Sequence, residues 1–509
     1  MISMTQNNVE KWGTYEITLK GKAEGNPFTD VEIKAVFTSE AGDSFEVEGF
    51  YDGEDTFKIR FMPNRTGLWK YEVRSDIKDL DGMKGEFLCV DPSEGNHGPV
   101  RVCNTYHFCY EDGTPYHPFG TTLYAWVHQR EELIQQTLES LRNSPFNKVR
   151  MCVFPKYYAY NREEPPMLPM SWREEDGRYQ VEFNVKFFQH FERLVKELMD
   201  MGIEADVILF HPYDKWGFCS MPEEVDKAYL RYLIARISSY RNVWWSMANE
   251  YDLIKPQKDW DGYFHFIVEK DPYNHLRSVH QCFKFYDHTK PWITHASIQW
   301  QGSLRSWSGE PEIDIGINLI PKWREMYKKP VIIDECGYEG NIEYGWGNLP
   351  PQEMMNRFWE GVTSGGYVTH GETYYSEDEV LWWSKGGRLK GESPKRIAFL
   401  RTIIEEAPPF LKPIKLDPMM DWDVHCIGKE GEYYLIYFDI NRPVKRTLKL
   451  PEGKYRVDLV DCWETEIHSL GIFQGQVVIR LPGKSYVALR IQKMENNDDW
   501  IILREDAKL

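Results

Sequence analysis

The middle of this 509-residue chain alternates short apolar segments with amphipathic ones, and this pattern restricts the fold more than any other feature of the sequence. Such alternation is typical of repeated βα units around a parallel sheet. Eight units predict an α/β protein with a central TIM (β/α)8 barrel. The eight predicted strands cover residues 119–124, 148–154, 204–210, 243–248, 276–280, 292–297, 330–335 and 366–370.

Amphipathic segments that fit the helices of these units begin near residues 131, 187, 224 and 354. One interval is irregular, because the eleven residues between the fifth and sixth predicted strands leave only nine, Phe283 to Pro291, for a helix and its loops. Nine residues are too few for a helix and its two loops. Either the fifth helix is vestigial or the strand count is wrong by one.

The two ends of the chain carry short strands with alternating apolar and polar residues, separated by Gly, Asn, Asp and Pro. This pattern predicts small antiparallel sandwiches. Pro408, Pro409 and Pro413 mark the start of the second one. We therefore expect an N-terminal β-sandwich domain over residues 1–92, the barrel over 93–407 and a C-terminal β-sandwich domain over 408–509.

Charge and hydropathy exclude several classes of partner. Lys and Arg total 61 against 79 Asp and Glu, and the net charge of -18 repels phosphate backbones and anionic lipid surfaces. We expect no nucleic-acid partner and no membrane partner, since no apolar run reaches the roughly 18 residues of a membrane span. The N-terminus lacks the pattern of a secretory signal, so we expect a cytoplasmic protein. The two sandwiches offer surfaces for a homo-oligomer.

The nine cysteines form an odd-numbered set without any C-x-x-C motif or metal-like Cys/His spacing. This distribution is typical of reduced cysteines that pack in protein cores. We therefore expect neither a disulfide framework nor a cysteine-bound metal, and the sequence indicates no cofactor.

Chemically versatile side chains recur where the predicted strands run into the following loops. In barrels of this kind that edge carries the functional site. A polar cap would explain any one of these residues alone, but their recurrence along the same edge indicates a site. They include Tyr124, Trp126, Lys156, His211, Asn249, Glu250, His280, His295, Gln299, Glu335, His370 and Glu372.

Two of these residues, Glu250 and Glu335, end the fourth and seventh predicted strands. Alternate residues of a strand face the same side. This parity predicts that Val331 and Ile333 lie beneath Glu335 and that Asn249 faces away from Glu250 unless the strand twists at its end. Apolar columns beneath both carboxylates would separate their pKa values, so that one is protonated while the other is ionised.

Asn249-Glu250 and the Asp-Glu-Cys-Gly segment at 334–337 resemble the strand ends of retaining glycoside hydrolases with (β/α)8 barrels. H-P-F-G-T-T-L-Y-A-W, H-A-S-I-Q-W and L-W-W-S-K-G-G resemble the apiosidase-like barrel glycosidases. G-F-Y-D-G followed by R-F-M-P-N-R-T-G-L-W resembles the β-sandwich domain that often precedes such barrels. The resemblance implies that Glu250 is the general acid/base, that Glu335 is the nucleophile and that Asn249 contacts the sugar 2-hydroxyl.

A retaining enzyme of this kind holds its two carboxylates about 5 to 5.5 Å apart, whereas an inverting enzyme holds them roughly 6.5 to 9.5 Å apart. We expect the shorter separation and a glycoside or oligosaccharide substrate. A cytoplasmic address favours short oligosaccharides, and hence a pocket that takes a terminal sugar.

Further side chains are candidates for binding the substrate, each with an alternative structural role. Arg150 could support the nucleophile or form a buried ion pair. One of His211, His280 and His295 is expected to be a packing residue, and Glu372 could instead cap nearby N–H groups. The candidates are Trp126, Arg150, His211, Asn249, His280, His295, Gln299, Trp300, His370, Glu372 and Trp382, with Trp216 and Trp383 as further sugar platforms.

Two other classes of protein fit the sequence less well. A metal-dependent hydrolase could assemble His211 with Asp214, or His295 with Glu335, but the chain has no H-E-x-x-H motif. A non-catalytic carbohydrate-binding protein is the third reading, given the two flanking sandwiches. Hydrolysis of aryl glycosides that survives EDTA would separate all three.

Overall fold

The computed structural model describes residues 8–301, 319–419, 421 and 423–494. The N-terminal region is a β-sandwich, as predicted, with one sheet in the order β1-β8-β7-β3-β4 and the other in the order β2-β6-β5. Aromatic side chains fill its core, where the rings of Phe37 and Phe61 stack 4.2 Å apart. The strands are β1 (Asn8–Glu10), β2 (Tyr15–Lys20), β3 (Ile33–Ser39), β4 (Ser44–Glu48), β5 (Phe50–Tyr51), β6 (Thr56–Phe61), β7 (Gly67–Ser75) and β8 (Lys84–Val90).

A small antiparallel sheet follows, formed by β9 (Val100–Cys103), β10 (His107–Tyr110) and β11 (Pro115–Tyr116). Its Phe108 and Tyr116 belong to the apolar cluster that contains Trp244 of the central sheet. Cys103 and Cys109 form a disulfide here, so the expectation that all cysteines are reduced is wrong. The β9–β10 turn brings these two cysteines together, which their spacing in the sequence does not indicate.

The middle region confirms the predicted barrel. Eight parallel strands form one sheet in the spatial order β18-β17-β16-β13-β12-β22-β20-β19. Thr294 N–H donates to the Arg277 carbonyl at 2.9 Å, which links the two ends of this sheet. The strands of this region are β12 (Phe119–Thr122), β13 (Lys148–Cys152), β14 (Met170–Glu175), β15 (Arg178–Phe183), β16 (Glu204–Phe210), β17 (Val243–Ala248), β18 (Arg277–Ser278), β19 (Ala296–Gln299), β20 (Val331–Glu335), β21 (Glu339–Gly340), β22 (Tyr367–His370) and β23 (Glu372–Thr373).

Helices lie between most of the barrel strands. Residues 279–295, all of them described, contain no helix, so the strand count is right and the fifth unit lacks its helix. The helices are α1 (Glu131–Arg142), α2 (Val185–Asp200), α3 (Glu223–Ile237), α4 (Gln257–Lys270), α5 (Leu319–Tyr327), α6 (Pro351–Thr363), α7 (Trp382–Lys385) and α8 (Ser393–Glu405). Short 3-10 turns occur at Trp126–His128, Phe218–Ser220, Tyr251–Leu253 and Gly345–Gly347.

Strand parity holds in the fourth barrel strand and fails in the seventh. In β17, the alternate residues Trp245 and Met247 both pack in the cluster that contains the helices, as strand parity requires. In β20, Val331 and Ile333 also pack on the helix side, whereas Ile332 joins the cluster that contains Trp244. The predicted apolar column beneath Glu335 is therefore wrong. The register between β19 and β20 shifts at the end of the strand, so Glu335 does not continue the alternation.

The C-terminal region is also β-rich, with six strands in the order β24-β25-β26-β31-β28-β29 and a β27-β30 pair. It packs on α6, where Tyr437 O–H donates to Asn356 Oδ1 at 2.6 Å. The strands are β24 (Lys412–Pro413), β25 (His425–Lys429), β26 (Tyr433–Tyr437), β27 (Lys445–Lys449), β28 (Tyr455–Asp461), β29 (Glu466–Phe473), β30 (Gln476–Arg480) and β31 (Val487–Lys493).

A buried ionic network fastens the N-terminal sandwich to the barrel helices. Arg60 of β6 donates to Glu192 of α2 at 3.1 Å, and Arg236 of α3 donates to the same carboxylate. Arg236 also donates to Asp52 at 2.7 Å.

Across the described ranges, no helix combines the length and apolar character of a membrane span.

Candidate active site

Glu250 and Glu335 lie at the C-terminal ends of β17 and β20, where only 4% and 7% of their surfaces are exposed. β17 ends at Ala248, and Glu250 adopts a left-handed backbone conformation with φ 52° and ψ 53°. Left-handed geometry is uncommon for residues other than glycine and ends the alternation of the strand. Asn249 accepts hydrogen bonds inside the barrel mouth, so the alternative considered for it, a change of direction at the end of the strand, is the one that the structure shows.

Hydrogen bonds from the strand ends hold the Glu335 carboxylate. Tyr124 O–H lies 3.0 Å from Glu335 Oε2 and 3.1 Å from Asn249 Oδ1. One phenol carries one proton, so these two acceptors share a donor. Gln301 Nε2 donates to Glu335 Oε1 at 3.2 Å. Tyr124 thus joins the ends of the first, fourth and seventh barrel strands.

A second tyrosine and a glutamine hold the Glu250 carboxylate. Tyr213 O–H donates to Glu250 Oε2 from the loop after β16. With its amide oriented to satisfy its neighbours, Gln299 donates to Glu250 Oε1 at 3.1 Å and to the Gln281 carbonyl at 2.9 Å. Gln299 therefore lies at the site, whereas Tyr213 is a site residue that the strand-end pattern does not single out.

The two carboxylates influence each other electrostatically. Burial, and then the neighbouring Glu250 charge, raise the pKa of Glu335. Lys156, Arg150 and the Tyr124 hydrogen bond oppose this rise. Two carboxylates that share a desolvated site take up their first proton more readily than an isolated glutamate does. The pair is therefore suited to hold one proton and one charge at the same time.

Arg150 combines both of the roles considered for it. Its guanidinium donates to Tyr124 Oη and to Asn249 Oδ1, each at 3.4 Å. It also lies 3.6 Å from Asp206 Oδ2 and 3.9 Å from Asp334 Oδ1. Arg150 therefore forms a buried ion pair and orients the groups that contact Glu335.

The barrel interior below the mouth is charged rather than apolar. Lys148 Nζ lies 2.8 Å from Asp206 and 2.7 Å from Asp334, and all three side chains are buried. Ser297 and Thr369 donate to the same Asp334 carboxylate. The sequence pattern does not predict this cluster, because lysine and aspartate in short strands usually indicate solvent-exposed positions.

Aromatic rings line the mouth around the carboxylates. Tyr158 and Tyr213 have ring centroids 4.5 Å apart, and those of Trp346 and Trp383 are 5.1 Å apart. Lys156, after β13, lies among these rings. Of the adjacent tryptophans, Trp383 packs in the cluster with Tyr124. Trp383, at the start of α7, is a candidate from the sequence, whereas no short motif marks Tyr158, Tyr213 or Trp346, and only the aromatic content of 15% indicates such residues.

Two of the predicted tryptophans lie outside the mouth. Trp126 is fully buried in the apolar cluster between the sheet and its helices. Trp382 packs in the same cluster and donates to Thr121 Oγ1 at 2.9 Å. Each packs where an apolar ring is most stabilising, so neither presents a face to a sugar.

Two of the predicted histidines also lie elsewhere. His295 precedes β19, at the opposite end of the barrel, where its ring meets those of Phe108 and Trp244. His370 stacks on Phe146 with centroids 4.7 Å apart. Burial lowers the pKa of both histidines to about 3, as expected for neutral packing side chains.

The remaining candidates have mixed positions. His211 donates from Nε2 to the Phe154 carbonyl at 3.1 Å, and His280 is fully buried beside the charged interior. Glu372 accepts the Lys390 and Gly391 N–H groups at 2.6 and 2.8 Å, which is the capping alternative. The backbone N–H of Trp300 donates to the Glu335 carbonyl at 2.8 Å, and the Trp300 ring contacts Trp323.

The residue pairs considered for a metal have other hydrogen-bonding roles. Asp214 accepts the N–H groups of Trp216 and Cys219, so it supports its own loop. Within the described residues, Glu360, His425 and Asp439 form a buried group whose ligand atoms lie within 4.8 Å of one another. This group lies between α6 and the C-terminal strands rather than at the mouth.

Solved structures support a carbohydrate-active enzyme. Over 96% of this chain and 100% of that one, the chain matches a candidate glycoside hydrolase from Bacteroides vulgatus ATCC 8482, with 39% identity and a TM-score of 0.87. A glycoside hydrolase family 5 structure from the same organism shares the fold, at 16% identity and a TM-score of 0.60, over 80% of this chain and 97% of that one. No curated protein matches the chain.

The barrel, its flanking β-rich regions and these relatives define a glycosidase that acts on glycosides. The profile described as "Apiosidase-like, catalytic domain" matches residues 103–423. The chain belongs to that family. Two domains of unknown function match its ends, DUF5060 at residues 8–76 and DUF5605 at residues 422–492.

Proposed function

We propose that this glycosidase acts with retention of configuration, with Glu250 as the general acid/base and Glu335 as the nucleophile. The observation that carries the proposal is that both carboxylates are buried at one barrel mouth and each accepts a tyrosine hydroxyl. Such a pair fits double displacement, in which the carboxylates stand about 5 to 5.5 Å apart.

The reaction then proceeds in two steps. Glu335 attacks the anomeric carbon while Glu250 gives its proton to the departing glycosidic oxygen, so that a covalent glycosyl ester forms and the aglycone leaves as an alcohol. Glu250 next removes a proton from water, which attacks the anomeric carbon and releases Glu335 as a carboxylate. Asn249 lies beside Glu335 through Tyr124, which suits contact with the sugar 2-hydroxyl.

The substrate that fits best is the terminal sugar of an oligosaccharide. The aromatic rings at the mouth form one contiguous wall, in which the Tyr158 ring lies 6.2 Å from Trp346, 6.3 Å from Trp383 and 4.5 Å from Tyr213. Flat aromatic faces bind the apolar faces of sugar rings. The burial of both carboxylates beside this wall, at 4% and 7% exposure, favours a pocket for one sugar over an open cleft for a polymer.

The residue roles can be tested with 4-nitrophenyl pyranosides and furanosides. We expect Glu335→Ala to lose at least about 1,000-fold in kcat, since the covalent step has no substitute nucleophile. Glu250→Gln should keep activity on good leaving groups, which need no acid. The matched control is Glu372→Gln, a buried carboxylate that caps backbone N–H groups and should stay within about tenfold of wild type.

The stereochemistry and the metal question need separate measurements. Proton NMR of the first-formed sugar should show the anomer of the substrate, and the opposite anomer would reject the retaining mechanism. Turnover that survives EDTA would set aside a metal-dependent hydrolase. An active Glu335→Ala enzyme would remove the nucleophile role from this residue.

A further inference from the structure

Lys156 is a buried cation among aromatic rings at the barrel mouth, with 4% of its surface exposed. Its ammonium lies 3.8 Å from the Tyr124 ring centroid and 4.4 Å from that of Tyr213. The rings of Trp383 and Tyr158 follow at 5.0 and 5.5 Å. Four rings within 6 Å form a cation–π cage.

This cage differs from an ordinary buried ion pair. Among the described residues, no carboxylate oxygen lies within 4.0 Å of the Lys156 ammonium. Lys148, by contrast, contacts two aspartates directly. Burial therefore lowers the pKa of Lys156, and the charges of Glu250 and Glu335 act against this.

The two nearest rings are those that hold the two carboxylates. Tyr124 donates to Glu335, and Tyr213 donates to Glu250. The two tyrosines come from different loops, after β12 and β16, and each accepts a backbone hydrogen bond from the segment around Lys156: Cys152 N–H donates to the Tyr124 carbonyl at 2.9 Å, and Tyr157 N–H donates to the Tyr213 carbonyl at 2.8 Å. Lys156 contacts both ring faces at once. Lys156 is therefore the side chain that contacts both of the tyrosines that hydrogen-bond to the carboxylates.

We propose that Lys156 is a positioning residue for both carboxylates: it fixes the Tyr124 and Tyr213 rings and supplies a positive charge that favours one ionised carboxylate. This inference rests on the proposed roles of Glu250 and Glu335. A cation on the face of a phenol also strengthens its O–H as a donor, so both hydrogen bonds depend on the ammonium.

The proposal predicts a change in the pH dependence of turnover. The nucleophile must be ionised, so its protonation sets the acidic limb of kcat/KM. Lys156 lowers the pKa of Glu335, and its removal should raise that pKa and shift the acidic limb to higher pH. The titratable or charged groups that interact with Glu335 are Glu250, Lys156, Arg150, Tyr124, Tyr338, Tyr213, Tyr158, Cys282 and Cys336.

The test compares Lys156→Met with Lys156→Arg on an aryl glycoside that the wild type cleaves. For Lys156→Met we expect kcat to fall roughly 100-fold, KM to stay within about threefold and the acidic limb to rise by about one pH unit. Lys156→Arg keeps the charge, so it should restore the limb to the wild-type pH. Circular dichroism and thermal unfolding verify that each variant is folded.

A packing role alone would lower stability and leave the acidic limb in place, and this result would overturn the proposal. An acidic limb of kcat/KM that shifts by the same amount in Lys156→Arg and Lys156→Met would also overturn the proposal. If Lys156→Met does not fold, Lys156→Gln carries the same expectation. Glu335→Ala is measured alongside: if it is active, the proposed function fails, whereas an inactive Glu335→Ala with an unmoved limb in Lys156→Met rejects only the role of Lys156.

Discussion

The geometry of the site depends on one unusual backbone residue. Because Glu250 is left-handed, the chain turns at the end of β17, and both Asn249 and Glu250 reach the mouth. Strand parity places Asn249 on the far side unless the strand twists at its end, and the left-handed Glu250 provides that change of direction. The sequence V-W-W-S-M-A-N-E does not reveal where the alternation stops.

Some site residues were accessible from sequence and others were not. Gln299 and Asn249 stand at strand ends, where barrel architecture directs attention. Trp383 was likewise a candidate from the sequence, whereas Tyr213 comes from a loop, and its contact with Glu250 depends on a conformation that no short motif encodes. His295 was misplaced because the sixth strand begins later than its apolar pattern indicates.

We expect the Tyr124 hydroxyl to contribute to kcat through both of the groups that it contacts. Tyr124→Phe removes the group that contacts both Glu335 and Asn249 while it keeps the ring beside Lys156. We expect kcat to fall between about 10- and 100-fold, because a buried carboxylate loses a hydrogen bond. Steady-state kinetics on an aryl glycoside measures the effect.

Tyr229→Phe is the matched control for this variant. Its hydroxyl donates to the Leu209 carbonyl at 3.1 Å, within the helix-side core. The control should keep kcat within about threefold of wild type. Equal losses in the two variants would mean that Tyr124 acts through stability and not through the site.

At the scale of elements, the apolar pattern was a reliable guide. All eight predicted barrel strands exist, and the short interval after the fifth strand correctly indicated a missing helix. Periodicity identifies elements that bury a face, because the core imposes that pattern. The apolar pattern did not predict the charged interior around Lys148, because its ion pairs join side chains from separate strands.

Docking of the N-terminal sandwich depends on Glu192 of α2. Glu192→Ala would leave Arg60 and Arg236 without their shared buried carboxylate. Removing one partner of a buried ionic network costs about 3 kcal/mol of unfolding free energy. Urea unfolding followed by tryptophan fluorescence measures this loss.

Glu197→Ala on the same helix provides the comparison. Glu197 pairs with Arg193 at 2.6 Å, but both side chains are partly exposed to solvent. Surface pairs contribute at most about 1 kcal/mol. A loss in Glu192→Ala no greater than in Glu197→Ala would contradict a stabilising role for the network.

At the scale of the whole molecule, the order of its regions was predictable, whereas their covalent and ionic connections were not. The division at residues 1–92, 93–407 and 408–509 remains a proposal. Arg60 and Glu192 lie 132 positions apart, and the sequence around each residue does not predict that the two will pair. The Cys103–Cys109 disulfide is more typical of exported proteins than of the cytoplasmic address expected from the N-terminus.

The disulfide can be checked on the intact chain. Alkylation under denaturing, non-reducing conditions should modify seven of the nine cysteines, since the other two are paired. Prior reduction should expose all nine, and mass spectrometry counts the added groups. Nine modified residues without reduction would show that the purified protein lacks this bond.

The charged interior also limits how this barrel can change. Lys148 and Arg150 bring two positive charges, and Asp206 and Asp334 bring two negative ones. Replacing any one of the four leaves an unbalanced charge where water does not reach. The four positions therefore behave as one unit of variation. Libraries that vary them singly should return only the parental residues, whereas libraries that vary them jointly can reach new neutral sets.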